Sequence, residues 1–241
     1  MKRRRLFACG WMLAALVLTN AHADEAGAAK DAVAAAEGLW AYTSLQAGGT
    51  GQMMPLTGVI LYKNGLFAQQ SIFDGQPFES QGAMAHAGPF GPGPKGIHMT
   101  AEQTIAIAPG KEPALKFRRD TQHDITVDRD GDTLTIVFGS GTVQKFKRIG
   151  PARGDIYELN NGVLALVDNH FVLVAGDERA VVTGYGKVQS KGTAYDLQVI
   201  RWSEATPAKA TNLRDTTLKA TFDGKTFALA DGRAFQVVGR K

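Results

Sequence analysis

Two histidines in a segment rich in glycine and proline are the side chains of this sequence best suited to chemistry. His86 and His98 lie at either side of the run HAGPFGPGPKGIHM. Imidazole takes up and releases a proton near neutral pH, so both residues are candidates for catalysis by proton transfer. Because proline cannot donate to a sheet ladder, the run is predicted to be a loop at a rim. That loop is either a plain connection or a semi-rigid lid over a site.

Metal and cofactor chemistry find little support in the sequence. The only cysteine, Cys9, lies near the start of the chain, and no third ligand accompanies the two histidines. Zinc sites use three or four protein ligands. The aspartate-rich run HDITVDRDGD (123–132) lacks the spacing of an EF-hand loop. Its alternation predicts a strand with Asp124 and Asp128 on a solvated outer face. We therefore expect no metal and no cofactor.

Apolar side chains supply a second kind of candidate site, for binding rather than catalysis. The loop AGGTGQMMPL contains Met53 and Met54, whose soft thioether side chains adapt to irregular apolar ligands. Tyr62, Phe67 and Phe90 are the aromatic candidates for the same role. The alternative is that the methionines only fill a gap beneath a flexible loop.

The start of the chain is typical of an exported protein. Residues 2–5 are all basic, residues 6–18 are mostly apolar, and the run ends in the small-x-small pattern of residues 21–23. This pattern predicts a signal peptide over residues 1–23 that is cleaved after Ala23, because the apolar run is too short to span a bilayer of ~30 Å. We expect a bacterial protein of the periplasm or the medium.

The charge of the mature chain excludes one class of partner. The whole sequence has 27 basic and 23 acidic residues, and four of the basic ones precede the predicted cleavage site. The mature chain is therefore neutral, and its composition gives no support to binding of nucleic acid or of a membrane surface. No apolar run is long enough for a membrane-spanning helix.

Short apolar runs with a period of two, separated by glycine turns, predict an all-β fold. Asn64-Gly65 is a type I′ hairpin signal, since both positions favour positive φ. Asp130-Gly131 and Asp223-Gly224 are further turn signals of the same kind. Only residues 24–36, which are rich in alanine, read as a helical or disordered lead-in.

An internal repeat divides the chain into two units. GVILYKNGLFA starts at Gly58 and GVLALVDNHFV starts at Gly162, so that Phe67 aligns with Phe171. We predict one β unit over 37–149, a linker over 150–155 and a second unit over 156–241. The second unit is expected to be a related barrel or half-barrel. Pairing of both halves into one larger sheet system is the alternative.

Three residues of the first unit carry a resemblance to a known family. Gly38 and Trp40 form the GLW of the first strand, and Arg148 ends the late FKR. This order resembles bacterial lipocalin-like domains of the calycin superfamily, over about residues 37–149. The resemblance implies a small antiparallel up-and-down barrel in which the guanidinium of Arg148 covers the indole of Trp40 at the closed end. The second unit resembles the family only through the repeat, with Tyr157 near the place of the tryptophan.

The resemblance also implies a function. The expectation is an exported protein that holds a small apolar or amphipathic ligand non-covalently inside a β-barrel. One alternative is a calycin-type isomerase, cyclase or hydrolase that uses the loop histidines. The other is an envelope interaction or scaffold protein without a ligand.

Overall fold

The computed structural model describes residues 27–241, which form one α-helix, twenty strands and a short 3₁₀ turn (Phe78–Ser80). The predicted signal peptide, residues 1–23, lies outside the described residues. Helix α1 covers residues 27–36. The strands form two antiparallel sheets, and each closes into an eight-stranded barrel. The prediction of an all-β fold with a first barrel followed by a second is therefore confirmed.

The first barrel is contiguous in sequence. Its wall runs in the order β1-β3-β4-β5-β6-β9-β10-β11 and closes where β11 pairs with β1. The short β2 pairs with β1, and the β7-β8 hairpin extends from β5. The strands are β1 (Gly38–Gln46), β2 (Met53–Met54), β3 (Leu56–Lys63), β4 (Leu66–Phe73), β5 (Ala83–Gly93), β6 (Gly96–Ala101), β7 (Gln103–Ile107), β8 (Leu115–Arg118), β9 (Thr121–Asp130), β10 (Thr133–Phe138) and β11 (Val143–Gly150).

The second barrel repeats this arrangement with shorter connections. Its wall runs β12-β13-β14-β15-β16-β18-β19-β20 and closes where β20 pairs with β12. The additional strand β17 pairs with β16. The strands are β12 (Gly154–Leu159), β13 (Gly162–Val167), β14 (His170–Gly176), β15 (Val181–Lys191), β16 (Ala194–Thr206), β17 (Lys209–Leu213), β18 (Thr216–Phe222), β19 (Thr226–Leu229) and β20 (Ala234–Arg240).

Equivalent glycines show that the two barrels are related in detail. Gly58 and Gly162 have φ of 144° and 157°. A Cβ added to either glycine would lie 2.0 Å or 2.1 Å from a backbone oxygen of the next strand, at Gln70 and Val174 respectively. No side chain fits at so short a distance, so both positions require glycine. The structure thus contains two related barrels, and not one larger sheet.

Residues 27–241 form three apolar cores, because several strands are buried on both faces. Along β3, Ile60 and Tyr62 point into the first barrel, while Val59 and Leu61 point outwards to the second barrel. The strand β14 does the same from the other side, with Leu173 inside and Val174 at the interface. Alternation along a strand therefore fills two barrel interiors and one core between the barrels.

The contact between the barrels combines small apolar side chains with buried hydrogen bonds. Ala83, Ala85 and Ala87 of β5 all lie in the shared core, and their small size lets the walls approach closely. The amide of Asn212 donates to the carbonyl of Gln81 at 2.8 Å, and the amide of Gln70 donates to the carbonyl of Thr183 at 3.0 Å. These directional contacts fix how one barrel sits against the other.

The prediction of a loop over residues 86–99 is wrong, because this segment forms most of β5 and β6. The prolines are compatible with strands where a ladder partner is missing. Pro89 lies between the pairing of β5 with β7, which ends at Ala87, and the pairing with β6, which begins at Phe90. On that side of β5 no neighbouring strand needs an N–H from Pro89.

Candidate functional site

One end of the first barrel is closed by a buried indole. Trp40 is fully buried, and its Nε1 donates to the carbonyl of Ala36 in α1 at 2.8 Å. The guanidinium carbons of Arg148 and Arg129 lie 5.7 Å and 5.4 Å from the centre of the ring. At Gly38 an added Cβ would lie 3.0 Å from Nε1 of Trp40, so glycine leaves room for the indole. The predicted pairing of Trp40 with Arg148 is present in the structure.

Further aromatic side chains fill the barrel above the indole. The ring centre of Tyr62 lies 5.0 Å from that of Phe90 and 6.1 Å from that of Phe67, and the Tyr62 hydroxyl donates to Sδ of Met99 at 3.4 Å. Tyr62 and Phe90 are buried and are not among the side chains that line open space in this barrel. We call Trp40, Tyr62 and Phe90 the aromatic plug.

Beyond the aromatic plug the first barrel contains a cavity of about 460 Å³. Its end at the β10-β11 turn is lined by Gly139, Ser140 and Thr142, where the barrel opens. We call this space the histidine cavity. Its apolar walls are Phe67, Met84, Met99 and Phe138, and its polar lining includes Gln69, His86, His123 and Gln144.

A network of uncharged polar groups borders the histidine cavity. The Tyr42 hydroxyl donates to Oε1 of Gln144 at 3.1 Å and accepts from the hydroxyl of Ser71 at 3.1 Å. The amide of Gln69 donates to Tyr42 and to Ser71. Burial raises the pKa of Tyr42, so its hydroxyl stays protonated. These four side chains hold one another in place without any charge.

Two histidines meet in the cavity. The rings of His86 and His123 lie 6.2 Å apart and nearly perpendicular, and the ring of Phe138 lies 5.5 Å from His123. Burial, with a smaller effect of His123, lowers the pKa of His86 to about 4. Burial also lowers the pKa of His123. Nδ1 of His86 is buried and has no hydrogen-bond partner among the described residues. At neutral pH the pair is therefore uncharged and has spare hydrogen-bonding capacity.

The structure separates the two histidines that the sequence suggested. His98 lies on the outer face of β6, with 43% of its side chain exposed, and its ring bonds to Asp124 at 2.8 Å and to Gln122 at 2.7 Å. The hydrogen bond to Asp124 raises the pKa of His98. The partner of His86 is His123 instead. A signal for this was present, because alternation puts His123 on the same face as the apolar Ile125.

The two candidate methionines lie outside the cavity. Met53 is 56% exposed and Met54 is half-buried, and both belong to the short β2 beside the end of β1. The preceding loop folds over the β10-β11 turn, where the N–H of Gly48 donates to Oγ1 of Thr142 at 3.1 Å. Of the five predicted ligand contacts, only Phe67 lines the histidine cavity.

The second barrel differs from the first at the position of His86. Gly184 takes the place that His86 occupies in the first barrel, and Trp202 pairs with it across the sheet. An added Cβ at Gly184 would lie 2.2 Å from Cε3 of Trp202, so the indole occupies the position of a side chain. Trp202 is 1% exposed. The indole therefore fills the interior beside Gly184, and a smaller pocket of about 380 Å³ lies nearer the β19-β20 turn, where it is lined by Ala175, Val182 and Phe235.

The structure also bears on metals and membranes. Among residues 27–241, no three side chains of the His, Cys, Asp or Glu type are grouped so that they could hold a metal ion. In the same part of the chain, no helix has both the length and the apolar character needed to cross a bilayer.

Comparison of the chain with family models, with curated proteins and with solved structures found no match.

Proposed function

We propose that the protein is an exported binding protein that holds a small, uncharged amphipathic molecule in the histidine cavity. The observation that carries this proposal is a cavity of about 460 Å³ that is closed at one end by the aromatic plug. Small-molecule sites in proteins are concave spaces of about 300–1,000 Å³ with apolar walls and a few convergent polar groups. The histidine cavity has this composition.

The apolar part of the ligand would contact Phe67, Met84, Met99 and Phe138. Burial of apolar surface stabilises a complex by roughly 25 cal/mol per Å², before the loss of ligand freedom is subtracted. Two of the four walls are methionines, and their flexible side chains adapt to irregular shapes. The walls therefore favour an apolar body without fixing one shape.

The polar part of the ligand would meet groups that carry no charge at neutral pH. Gln69 and Gln144 are amides, and burial keeps the pKa of His86 well below neutrality. Asp124 also lines the space but is bonded to His98, and Lys95 is exposed, so water screens its charge. A carboxylate would lose its hydration there without gaining a dedicated cation, which is unfavourable. An alcohol or amide group suits the site better.

The lipocalin-like resemblance belongs to this proposal. It is supported by Gly38, Trp40 and Arg148, which combine at one barrel end as the resemblance implies. Export, with a signal peptide over residues 1–23, is proposed from the sequence pattern alone.

Titration of the mature protein with decanol and with decanoate by calorimetry tests the proposal. We expect decanol to bind, and decanoate to bind at least about tenfold more weakly at a pH where it is ionised. Met84→Trp fills the cavity and should abolish decanol binding. Met53→Trp makes the same chemical change at an exposed site and should leave binding intact. Absence of binding to the wild type, or unchanged binding to Met84→Trp, would refute the proposal.

An enzyme acting in the same cavity is the second candidate function. It is favoured by the 6.2 Å separation of the His86 and His123 rings, because two neutral imidazoles can accept and return a proton of a bound molecule. Incubation with ligands recovered from the native host, followed by mass spectrometry, tests this function. Conversion that is lost in both His86→Gln and His123→Gln supports it, and recovery of every ligand unchanged argues against it.

A further inference from the structure

The second barrel is hollow at the end where the first barrel is filled. Tyr62 is the partner of Phe67 across the β3-β4 hairpin, and Leu166 is the partner of Phe171 across the equivalent hairpin of the second barrel. Tyr62 is fully buried, whereas Leu166 is only half-buried. A smaller side chain at this position leaves space that the first barrel does not have.

At two more positions the second barrel has a smaller side chain than the first barrel. Tyr157 pairs with Arg240 as Trp40 pairs with Arg148. Val188 takes the place of Phe90. Val188 comes one residue after Lys187, the strand partner of His170, and Phe90 comes one residue after Pro89, the strand partner of Leu66. Each member of the aromatic plug is thus replaced by a smaller residue in the second barrel.

This end also lacks the cover that the first barrel has. Helix α1 lies over the Trp40 end, and no helix of the described part of the chain covers the Tyr157 end. The result is an open pocket of about 1030 Å³. Its floor consists of Tyr157, Leu166, Val188 and Tyr195, and we call it the tyrosine pocket.

The floor of the tyrosine pocket is held rigidly. The ring of Phe222 lies 4.8 Å from that of Tyr157 and 6.2 Å from that of Tyr195, edge-on to both. The guanidinium of Arg240 lies 5.9 Å from the centre of the Tyr157 ring. The two tyrosines therefore form fixed, partly apolar surfaces at the base of a wide opening.

The acidic groups at the rim are already paired. Asp155 accepts from Arg240 at 2.9 Å and from the Tyr157 hydroxyl at 3.2 Å. Asp168 accepts from the backbone N–H of Ala152 at 2.6 Å and lies 3.5 Å from Arg153. Both carboxylates are engaged in these intramolecular contacts, so they are poorly placed to bind a cationic ligand.

The remaining rim groups are mostly neutral and unengaged. Asn169, Gln189, Ser190 and Gln198 line the pocket, and their side chains make no hydrogen bond to another described residue. Amides and hydroxyls both donate and accept. Among the lysine and arginine side chains of the lining, Lys187 forms no ion pair with a described residue, and His170 lies with its Nδ1 2.7 Å from the carbonyl oxygen of Asp168. The rim thus offers many neutral hydrogen-bonding partners above an aromatic floor.

We propose that the tyrosine pocket is a second binding site, separate from the histidine cavity, and that it binds a short oligosaccharide. A sugar ring presents C–H groups on its faces, which suit the two tyrosines, and hydroxyls around its edge, which suit the amides of the rim. A lipid chain fits less well, because only four apolar side chains line the floor and Phe171 and Leu197 fill the barrel below them.

Binding of the mature protein to a panel of immobilised oligosaccharides tests the proposal, with calorimetry on the soluble form of any that binds. We expect the wild type to bind at least one class of glycan. The double variant Leu166→Tyr, Val188→Phe introduces residues that fill the first barrel and should abolish this binding. Met84→Trp, which fills only the histidine cavity, should bind the glycan as the wild type does.

A second variant covers failure of the double variant to fold. Gln189 is exposed, so Gln189→Ala leaves the fold intact, and it should weaken glycan binding by about tenfold. Binding of no glycan by the wild type overturns the proposal. Unchanged affinity in a folded double variant, or in Gln189→Ala, overturns it as well. None of these results depends on whether decanol binds to the first barrel.

Discussion

Trp40 and Arg148 are partners on adjacent strands, and the guanidinium carbon lies 5.7 Å from the centre of the indole. Tyr157 and Arg240 repeat the relationship at 5.9 Å. The difference lies in what surrounds them, because α1 covers the first pair while 64% of the Arg240 side chain is exposed. One geometry therefore closes a barrel in the first unit and borders an opening in the second.

Replacement of the buried indole should strongly destabilise the protein. Trp40→Ala removes a fully buried aromatic side chain and its hydrogen bond to Ala36, so we expect a loss of about 3–5 kcal/mol in the free energy of unfolding. Urea denaturation measures this. Met53→Ala, at a residue that is 56% exposed in the two-residue strand β2, is the control and should change stability by less than about 0.5 kcal/mol. Similar values for both variants would contradict a structural role for Trp40.

The contact between Gly184 and Trp202 predicts a second large effect. Gly184→Ala places a Cβ where the indole already lies, 2.2 Å from Cε3 of Trp202, which is 1% exposed. We expect a loss of about 1–3 kcal/mol or more from overpacking. Thermal unfolding measures this loss. Gly75→Ala, where an added Cβ meets no atom within 4 Å, is the control and should leave the unfolding midpoint unchanged. A stable Gly184→Ala variant would show that the indole does not fill this space.

The histidine cavity predicts a loss of stability in acid. The folded state keeps the pKa of His86 at about 4, while the unfolded chain has the ordinary value of 6.5. Below pH 6.5 the His86 imidazole binds a proton in the unfolded chain but stays neutral in the folded protein. The free energy of unfolding therefore falls as the pH drops from 6.5 to 4. The loss from this residue is at most about 3 kcal/mol.

Urea denaturation at about pH 7 and about pH 4.5 tests this expectation. His86→Gln should reduce the difference between the two values. His98→Gln is the matched control, because the pKa of His98 is raised by Asp124 and its contribution to stability is present in acid and lost as the pH rises. An acid sensitivity that His86→Gln leaves unchanged would contradict the prediction.

The buried amide of Asn212 contributes to the interface between the barrels. Asn212 donates to the carbonyl of Gln81 at 2.8 Å and accepts from the hydroxyl of Ser203 at 2.7 Å. Asn212→Ala leaves buried polar groups without partners, so we expect it to cost about 1–3 kcal/mol. Ser140→Ala, at an exposed turn, should cost less than about 0.5 kcal/mol. Differential scanning calorimetry should show a lower midpoint for Asn212→Ala, and an unchanged midpoint would argue against this contact.

The parts of the fold that could be predicted are those that depend on residues adjacent in sequence. Asn64-Gly65 specifies its turn by its own backbone preferences, with φ of 48° and 80°. The alignment of Gly58 with Gly162 reflects a close approach of two backbones that is repeated in both barrels. Periods of two along each run were sufficient for the all-β class.

The candidate site was harder to predict, because it depends on which strands become neighbours. His86 and His123 are brought together by the pairings of β5, β6 and β9, and no local pattern records that register. His98 drew attention because it shares a segment with His86, yet it faces outwards. The proline-rich strand was missed for a related reason, since Pro89 is acceptable only where two pairings of one strand leave a gap.

The core shared by the two barrels has a consequence for synthesis. Each barrel is continuous in sequence, so the first can close as soon as Arg148 has been made. From then until the second barrel is complete, the outer wall formed by Val59, Leu61 and the alanines of β5 has nothing to cover it. A nascent or truncated chain that ends near Gly150 would expose this apolar surface to solvent. We expect such a chain to self-associate under conditions where the whole chain does not.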